Sequence, residues 1–187
     1  MRKREFIKGK GIYLRNLINE DINKNYIHWF DDDEVCRQNS HHKFPFYEEE
    51  LRSYIDSLRN NKTMLVLAII EKLEDIHIGN ISLQNIDFIN RSAEFAIIIG
   101  EKSFWGKGYG KEAVSMIVRH GFETLNLNRI YCGTFFENVG LIKLVEFLGF
   151  KQEGIRRKAM YKNGNYVDII EFGLLKSEWK NDEVDKW

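Results

Sequence analysis

The sequence predicts a mixed α/β fold of the α+β kind, a mostly antiparallel central sheet with helices on both faces. Three observations carry this. Short apolar runs of strand length alternate with longer stretches whose apolar residues recur at helical spacing. One strand-like run passes through a glycine-rich loop into a helix and on to another strand, the order of a crossover between parallel neighbours. Near the end of the chain, Asn163-Gly164 separates two long strand-like runs, a strong signal for a two-residue hairpin turn.

The elements follow in order. Gly11 to Asn16 alternates apolar and polar, with Ile12 and Leu14 on one face, and reads as the first strand. Asn19 is placed to cap a helix through Asp21 to Phe30, with acids in its first turn and Ile22, Tyr26, Ile27 and Phe30 at helical spacing. The acidic run Asp31 to Glu34 breaks that pattern, and Ser40 to Pro45 reads as a loop. A second helix over Tyr47 to Arg59 puts Leu51, Tyr54, Ile55 and Leu58 on one face. Met64 to Ile70 is continuously apolar, as a strand buried on both faces requires. Glu71 to Asp75 reads as a hairpin loop, Ile76 to Leu83 as the returning strand, and Asn90-Arg91 as the turn into Ala93 to Ile99. The next helix carries one broad stripe from Ala113 to Leu125. Arg129 to Phe135 reads as a strand, Leu141 to Leu148 as a short helix ending at Gly149, and Lys151 to Lys162 with Tyr166 to Leu175 as the closing hairpin. The coarse order is strand, two helices, four strands counted with the hairpin partner of 93–99, helix, strand, helix and two strands. No repeat, low-complexity tract or linker appears, so residues 1–187 read as one domain.

The chain is organised around AEFAIIIGEKSFWGKGYGKE, residues 93–112. Gly106, Gly108 and Gly110 stand at every second position and free the backbone for conformations that a side chain blocks. A glycine loop that opens a helix aims bare N–H groups and the positive end of the dipole at whatever lies above, which suits a phosphate or pyrophosphate. Lys107 and Lys111 add positive charge there. A flexible strand-to-helix turn explains the same glycines. A dinucleotide fingerprint does not, because the spacing is G-x-G-x-G and no acid follows near Leu125 to Arg129. The P-loop pattern G-x-x-x-x-G-K-[ST] is absent.

Composition excludes several classes. The 187 residues suffice for a real core, and 43% are hydrophobic. Lys plus Arg equals Asp plus Glu at 28 each, so no basic excess points to nucleic acid. No apolar run approaches the roughly 20 residues of a membrane span, and MRKREFIKGKGIYLR lacks the apolar core of a secretory signal. Cys36 and Cys132 are far apart and in no Cys/His cluster, so neither a disulfide framework nor a metal site is expected. A cytoplasmic, reduced protein is the default.

Two motifs carry a family resemblance. WGKGYGKEA, from Trp105, resembles the acyl-CoA pyrophosphate loop of the GNAT N-acetyltransferases, Q/R-x-x-G-x-G/A, with Trp105 where Arg or Gln is usual. That departure is familiar in the branch that holds the ribosomal-protein N-terminal (Rim-type) and spermidine acetyltransferases. NVGLIKLVEFLGFKQEG resembles the second signature of the superfamily through Asn138, Gly149, Phe150, Glu153 and Gly154. Asn138 and Gly149 are equally good as plain helix caps. The hairpin IRRKAMYKNGNYVDIIEFGLL resembles the closing hairpin of the Rim-type branch, and RSAEFAIII the matching stretch of spermidine acetyltransferases. The resemblance spans roughly Ile7 to Trp179.

The resemblance implies acetyl transfer from acetyl-CoA, as co-substrate and without a metal, to a primary amine: an amino sugar, a polyamine or a protein N-terminus. It implies that strand 93–99 and strand 129–135 splay apart and admit the pantetheine arm. Backbone groups near Ile97, Ile98 and Ile99 would pair with that arm, Asn138 would bond it from the other side, and Trp105, Gly106, Lys107, Gly108, Tyr109, Gly110 and Lys111 would meet the phosphates. Nothing points to a nucleic-acid or membrane partner, and a homodimer is allowed.

The chemistry needs a neutral amine, yet an alkylamine has a pKa near 10, so a group must accept a proton. The oxyanion formed on the thioester carbon needs a donor, which a backbone N–H of strand 93–99 can be, and the leaving thiolate needs a proton. The Tyr that many members place seven residues after the motif Asn is Val145 here, the small hydroxyl three residues after it is Leu141, and the Glu some members carry on the second splayed strand is Gly133. Glu94 remains as general base, with a solvated edge charge or an ion pair as its other reading. Tyr131, Tyr161 and Thr134 are unranked proton donors. Trp29, among the residues of the first helices, and Asp168 of the hairpin are expected on the acceptor side, Asp168 equally as a salt-bridge residue. His28, His41 and His42 lie in the same region and read as solvated. The missing Tyr, hydroxyl and Glu also allow a CoA-binding module with weak or lost catalysis.

Overall fold

Eight strands form one sheet in the computed structural model of the chain, which describes residues 4–39, 43–44 and 47–180. The elements are β1 (Ile7–Lys8), β2 (Ile12–Asn16), α1 (Lys24–Asp31), α2 (Asp33–Cys36), α3 (Glu48–Leu58), β3 (Leu65–Glu71), β4 (Ile76–Asp87), β5 (Ser92–Ile99), α4 (Tyr109–Arg119), β6 (Arg129–Thr134), α5 (Val139–Phe147), β7 (Lys151–Lys162) and β8 (Asn165–Leu175). The strands lie in the order β1-β2-β3-β4-β5-β6-β8-β7, antiparallel except for the β5–β6 pair. Three strands, not four, stand between α3 and α4.

Helices cover both faces, and the continuous apolar run of β3 is the reason. Leu67 and Ile69 point to one face, where they join Ile12, Leu14 and the stripe Ala113, Val114 and Ile117 of α4. Ala68 and Ile70 point to the other, where they join Tyr13, Tyr26 and Trp29 of α1 and Leu51 and Ile55 of α3. A period of two with both faces covered makes residues 65–70 of β3 apolar throughout.

The N-terminal third departs from the expectations. The helix expected from Asp21 begins only at Lys24, capped by Asn23, whose side chain accepts from Tyr26 N at 3.0 Å. Asn19 to Asp21 is a single 3₁₀ turn. Arg15 explains this: its guanidinium donates to both Asp21 carboxylate oxygens at 2.6 Å and draws the acid into the core. Asp21 then accepts from Ile18 N at 3.0 Å and closes a turn instead of opening a helix. The acidic run does break the helix: α1 ends at Asp31, Asp32 is extended, and a second short helix starts at Asp33. Asp32 accepts from Glu34 N and Val35 N at 2.9 and 3.1 Å and caps α2. At two residues, β1 is too short to show a period. The expected loop residues Ser40, His41, His42 and Pro45 lie outside the described residues.

Candidate functional site

Strands β5 and β6 pair in parallel at only three positions, Ser92 with Arg129, Ala93 with Ile130 and Glu94 with Tyr131. Beyond Glu94, β5 runs on to Ile99 and stays paired with β4, while β6 runs on to Thr134 and stays paired with β8. The sheet therefore opens between them. A cleft of about 680 Å³ runs along the gap and over the α1–α3 face, with Phe95, Ile97, Gly133, Thr134 and Asn138 among its lining residues.

Ladder alternation fixes which backbone groups face the gap. Gly100 N donates to Ile78 O at 2.9 Å, so the hydrogen-bonded pairs with β4 fall on Ile98 and Ala96. Phe95, Ile97 and Ile99 face the other way, toward β6. Of the three expected backbone partners of a bound arm, Ile97 and Ile99 thus face the gap, and Ile98 is turned into the β4 ladder. The Ile98 side chain instead packs toward α1 and α3 and reaches the cleft from that face. The Ile99 carbonyl accepts from Trp105 Nε1 at 2.8 Å, so Trp105 fastens the loop to the strand end. On the far wall, Lys176 N donates to Asn128 O at 2.9 Å, and the same alternation turns the Gly133 backbone to the gap.

The glycine loop stands at the gap's open end. Gly106 and Gly108 have φ of +73° and +86°, the left-handed region, and a Cβ added at either meets nothing within 4 Å. They are glycines for their dihedrals, not for clearance, and the space above them is open. Gly110 lies inside α4, and a Cβ there makes only ordinary contacts of 3.8–3.9 Å. Tyr109 opens α4, whose first intrahelical bond runs from Glu112 N to Gly108 O. The preceding N–H groups at this end have no partner within the helix. Lys107 Nζ lies 4.9 Å over the Phe104 ring and Lys111 Nζ 3.0 Å over the Phe147 ring, flanking that end with charge. Open space, bare N–H groups and unladdered strand backbone together fit an extended, phosphate-bearing ligand.

Asn138 caps α5. Its Oδ1 accepts from Leu141 N at 3.2 Å, and its Nδ2 donates to Thr134 Oγ1 at 3.0 Å. Glu94 ends the paired part of β5, half-buried on the cleft wall, and accepts from Asn85 Nδ2 at 3.2 Å. Burial and then the Glu94 charge push the Tyr131 hydroxyl up, and the same two causes push the Cys132 thiol to about 12. Both stay protonated at neutral pH. Tyr161 is exposed on the closing hairpin. Val145 is 0% exposed in the core, and a Cβ at Gly133 comes within 2.8 Å of Ile169 Cγ2.

The two residues expected on the acceptor side are both held by contacts within the chain. Trp29 is only 3% exposed, and its Nε1 donates to Glu101 Oε1 at 3.0 Å. Its ring fills the space beside Gly100, where a Cβ comes within 1.9 Å, so Trp29 packs α1 against the turn that leads to the glycine loop. Asp168 Oδ1 accepts from Lys158 N at 2.8 Å and holds the irregular stretch of β7, outside the cleft lining. Lys102 Nζ binds Asp32 at 2.8 Å and Glu34 at 3.2 Å, so these acids of the run are paired. That contact, with the α2 N–H groups, holds the Asp32 carboxyl down at about 2.

A buried polar chain went unread in the sequence. Arg15 binds Asp21, whose Oδ1 lies 3.9 Å from His77 Nδ1. His77 Nε2 lies 2.9 Å from both Gly79 O and Asn80 Oδ1, and Asn80 Nδ2 donates to the Tyr26 hydroxyl at 3.2 Å. Burial lowers the His77 pKa against the pull of Asp21, so the ring is neutral and Nε2 carries the proton. Burial also pushes the Tyr26 hydroxyl up to about 12. Tyr26 and Asn80 both line the cleft. The available signal was an arginine inside an apolar strand, which demands a buried acid.

Among the described residues, no group of three or more His, Cys, Asp or Glu is arranged to hold a metal ion, and no helix is long and apolar enough to cross a membrane.

Residues 12–151 match the model of the acetyltransferase (GNAT) domain. The uncharacterized N-acetyltransferase p20 of Bacillus licheniformis is 39% identical over 112 residues, 60% of this chain and 62% of that relative, so the match spans about three fifths of its length. The spermidine N(1)-acetyltransferase of Vibrio cholerae is 29% identical over 169 residues, 90% of each chain. A crystal structure of spermidine N-acetyltransferase from Vibrio cholerae in complex with CoA and spermine superposes with a TM-score of 0.81 at 25% identity, covering 90% of this chain and 97% of that one.

Proposed function

The chain belongs to the GNAT acetyltransferase family, and on that premise we propose that it is a single-domain N-acetyltransferase that moves an acetyl group from acetyl-CoA to a primary amine. The observation that carries this reading is the opened β5–β6 pair with the α4 N-terminus at its mouth. Acetyl-CoA supplies an acetyl group activated as a thioester. The N–H groups of Gly108 to Lys111, with Lys107 and Lys111, hold the phosphates. The Ile97 and Ile99 N–H groups pair with the amide-bearing arm, and the second Nδ2 hydrogen of Asn138 bonds it from the start of α5. Glu94 takes the amine proton, directly or through a water, because an amine near pKa 10 is charged at neutral pH.

We take the acceptor to be a small cationic amine, with a polyamine first among the candidates. The likeness to the Vibrio spermidine enzyme over 90% of both chains supports this, and so do the carboxylates of Glu50 and Glu94 on the cleft wall. A second reading, a CoA-binding module with weak or no turnover, is favoured by Val145, Leu141 and Gly133, which leave the cleft without a side-chain acid at those positions. Thiol release measured with acetyl-CoA against spermidine, amino sugars and N-terminal peptides separates the readings. Turnover of a polyamine well above the others supports the proposal. CoA binding with no turnover on any amine supports the second reading.

A further inference from the structure

Thr134 has a hydroxyl whose bonding is half used. It is 4% exposed and lines the cleft. Asn138 Oδ1 is committed to Leu141 N, which fixes the amide orientation, because a flipped amide would set donor against donor. The Asn138 Nδ2 group at 3.0 Å is therefore the donor and Thr134 Oγ1 the acceptor. The Thr134 proton must point elsewhere, and the hydroxyl donates no hydrogen bond among the described residues.

Register gives this donor an address. Thr134 lies three residues past Tyr131 on β6, and Ile97 lies three past Glu94 on β5, where the two strands last pair. Thr134 thus stands across the opened gap from Ile97. Its side chain shares the face of Cys132 and Ile130, the side covered by α4 and α5. That is also the side of the buried Val145, which has no proton to give.

We propose that Thr134 is a catalytic residue of the acetyl transfer, its hydroxyl donating a hydrogen bond to the cofactor sulfur as charge gathers there. The inference rests on the function proposed above. The amine nitrogen bonds to the acetyl carbon, and the carbon–sulfur bond breaks with its electron pair on sulfur. Thr134 keeps its proton throughout, since an alcohol is too weak an acid to surrender it to a thiolate. It stabilises the thiolate by a charge-assisted bond instead. The surplus proton of the amine passes to Glu94 or water, and the thiolate is protonated by solvent.

The test reads binding, without turnover. CoA and desulfo-CoA differ only at the sulfur, so their affinity ratio, taken by calorimetry from about pH 6.5 to about pH 9.5, isolates thiolate recognition around an ordinary thiol pKa of about 8.5. In the wild type the ratio should shift in favour of CoA by roughly tenfold across that range. Thr134→Val should remove the shift and leave desulfo-CoA affinity near wild type, and Thr134→Ser should restore it. A flat wild-type ratio overturns the proposal without need of any variant. So does a Thr134→Val protein that melts normally and keeps the shift. Failure of both ligands to bind overturns instead the acetyltransferase reading on which it rests.

Discussion

Glu94 occupies the last position at which β5 and β6 still pair, and Tyr131 and Cys132 both feel its charge. Glu94→Gln keeps the shape and removes the base. Turnover at neutral pH should fall by about 10²–10⁴. Raising the pH should recover part of that loss, because more amine arrives neutral, and CoA affinity should hold. A normal rate and pH profile in this variant would make Glu94 a wall residue only. Asp21 tests the unread buried chain. Burial alone would raise its carboxyl, but the hydrogen bonds and charge of Arg15, together with His77, outweigh burial and hold it below the usual range. A depressed folded pKa gives stability that is present above the unfolded value of about 3.9 and is lost as pH falls through the folded one. Asp21→Asn should therefore cost about 3–5 kcal/mol at neutral pH, as a buried charge left without its partner does. It should also flatten the acid limb of a thermal-melt series. Equal losses at pH 7 and in acid would mean that packing, not charge, sets the cost.

The glycine loop and its helix form the element where sequence and structure agree best, for a local reason. A backbone at φ +73° or +86° needs glycine at that one position, so the requirement is written where it acts. The Asn163-Gly164 hairpin was legible on the same ground, with positive φ at both residues. Gly110, read as the third member of the set, has ordinary helical geometry. Gly108→Ala should cost roughly 1–2 kcal/mol through dihedral strain alone, while Gly110→Ala should be close to neutral in stability. Gly108→Asp should abolish CoA binding, because it sets a like charge where the phosphates are held. CoA affinity unchanged in Gly108→Asp would remove the phosphates from this loop. The first helix was misplaced because its start depends on Arg15 and Asp21 meeting in the core, which no local cap rule registers. The contacts of Trp29 are non-local in the same way. It meets Gly100 and Glu101, about 70 positions on, which nothing in its local sequence announces.

At the scale of the whole molecule, one sheet is covered on both faces and opened once between its strands. Periodicity foretold the covering, since only two-sided burial makes 64–70 continuously apolar. Nothing periodic foretold the opening. It follows from β5 holding to β4 and β6 to β8 while the pair between them ends at Glu94, a balance among strands distant in sequence. The family resemblance supplied it, and ladder alternation then sorts the gap's backbone groups more finely than the resemblance does. Amide hydrogen exchange read residue by residue, with and without saturating acetyl-CoA, tests that sorting directly. Ile98, already bonded to β4, should exchange slowly in both states. Ile97 and Ile99 should slow by roughly tenfold or more when acetyl-CoA is added, as an N–H gaining a hydrogen-bond partner does, together with Gly108 and Gly110 at the loop. Acetyl-CoA that binds tightly yet leaves the Ile97 and Ile99 amides exchanging as before would contradict the claim that the opened β5–β6 pair is where the cofactor lies.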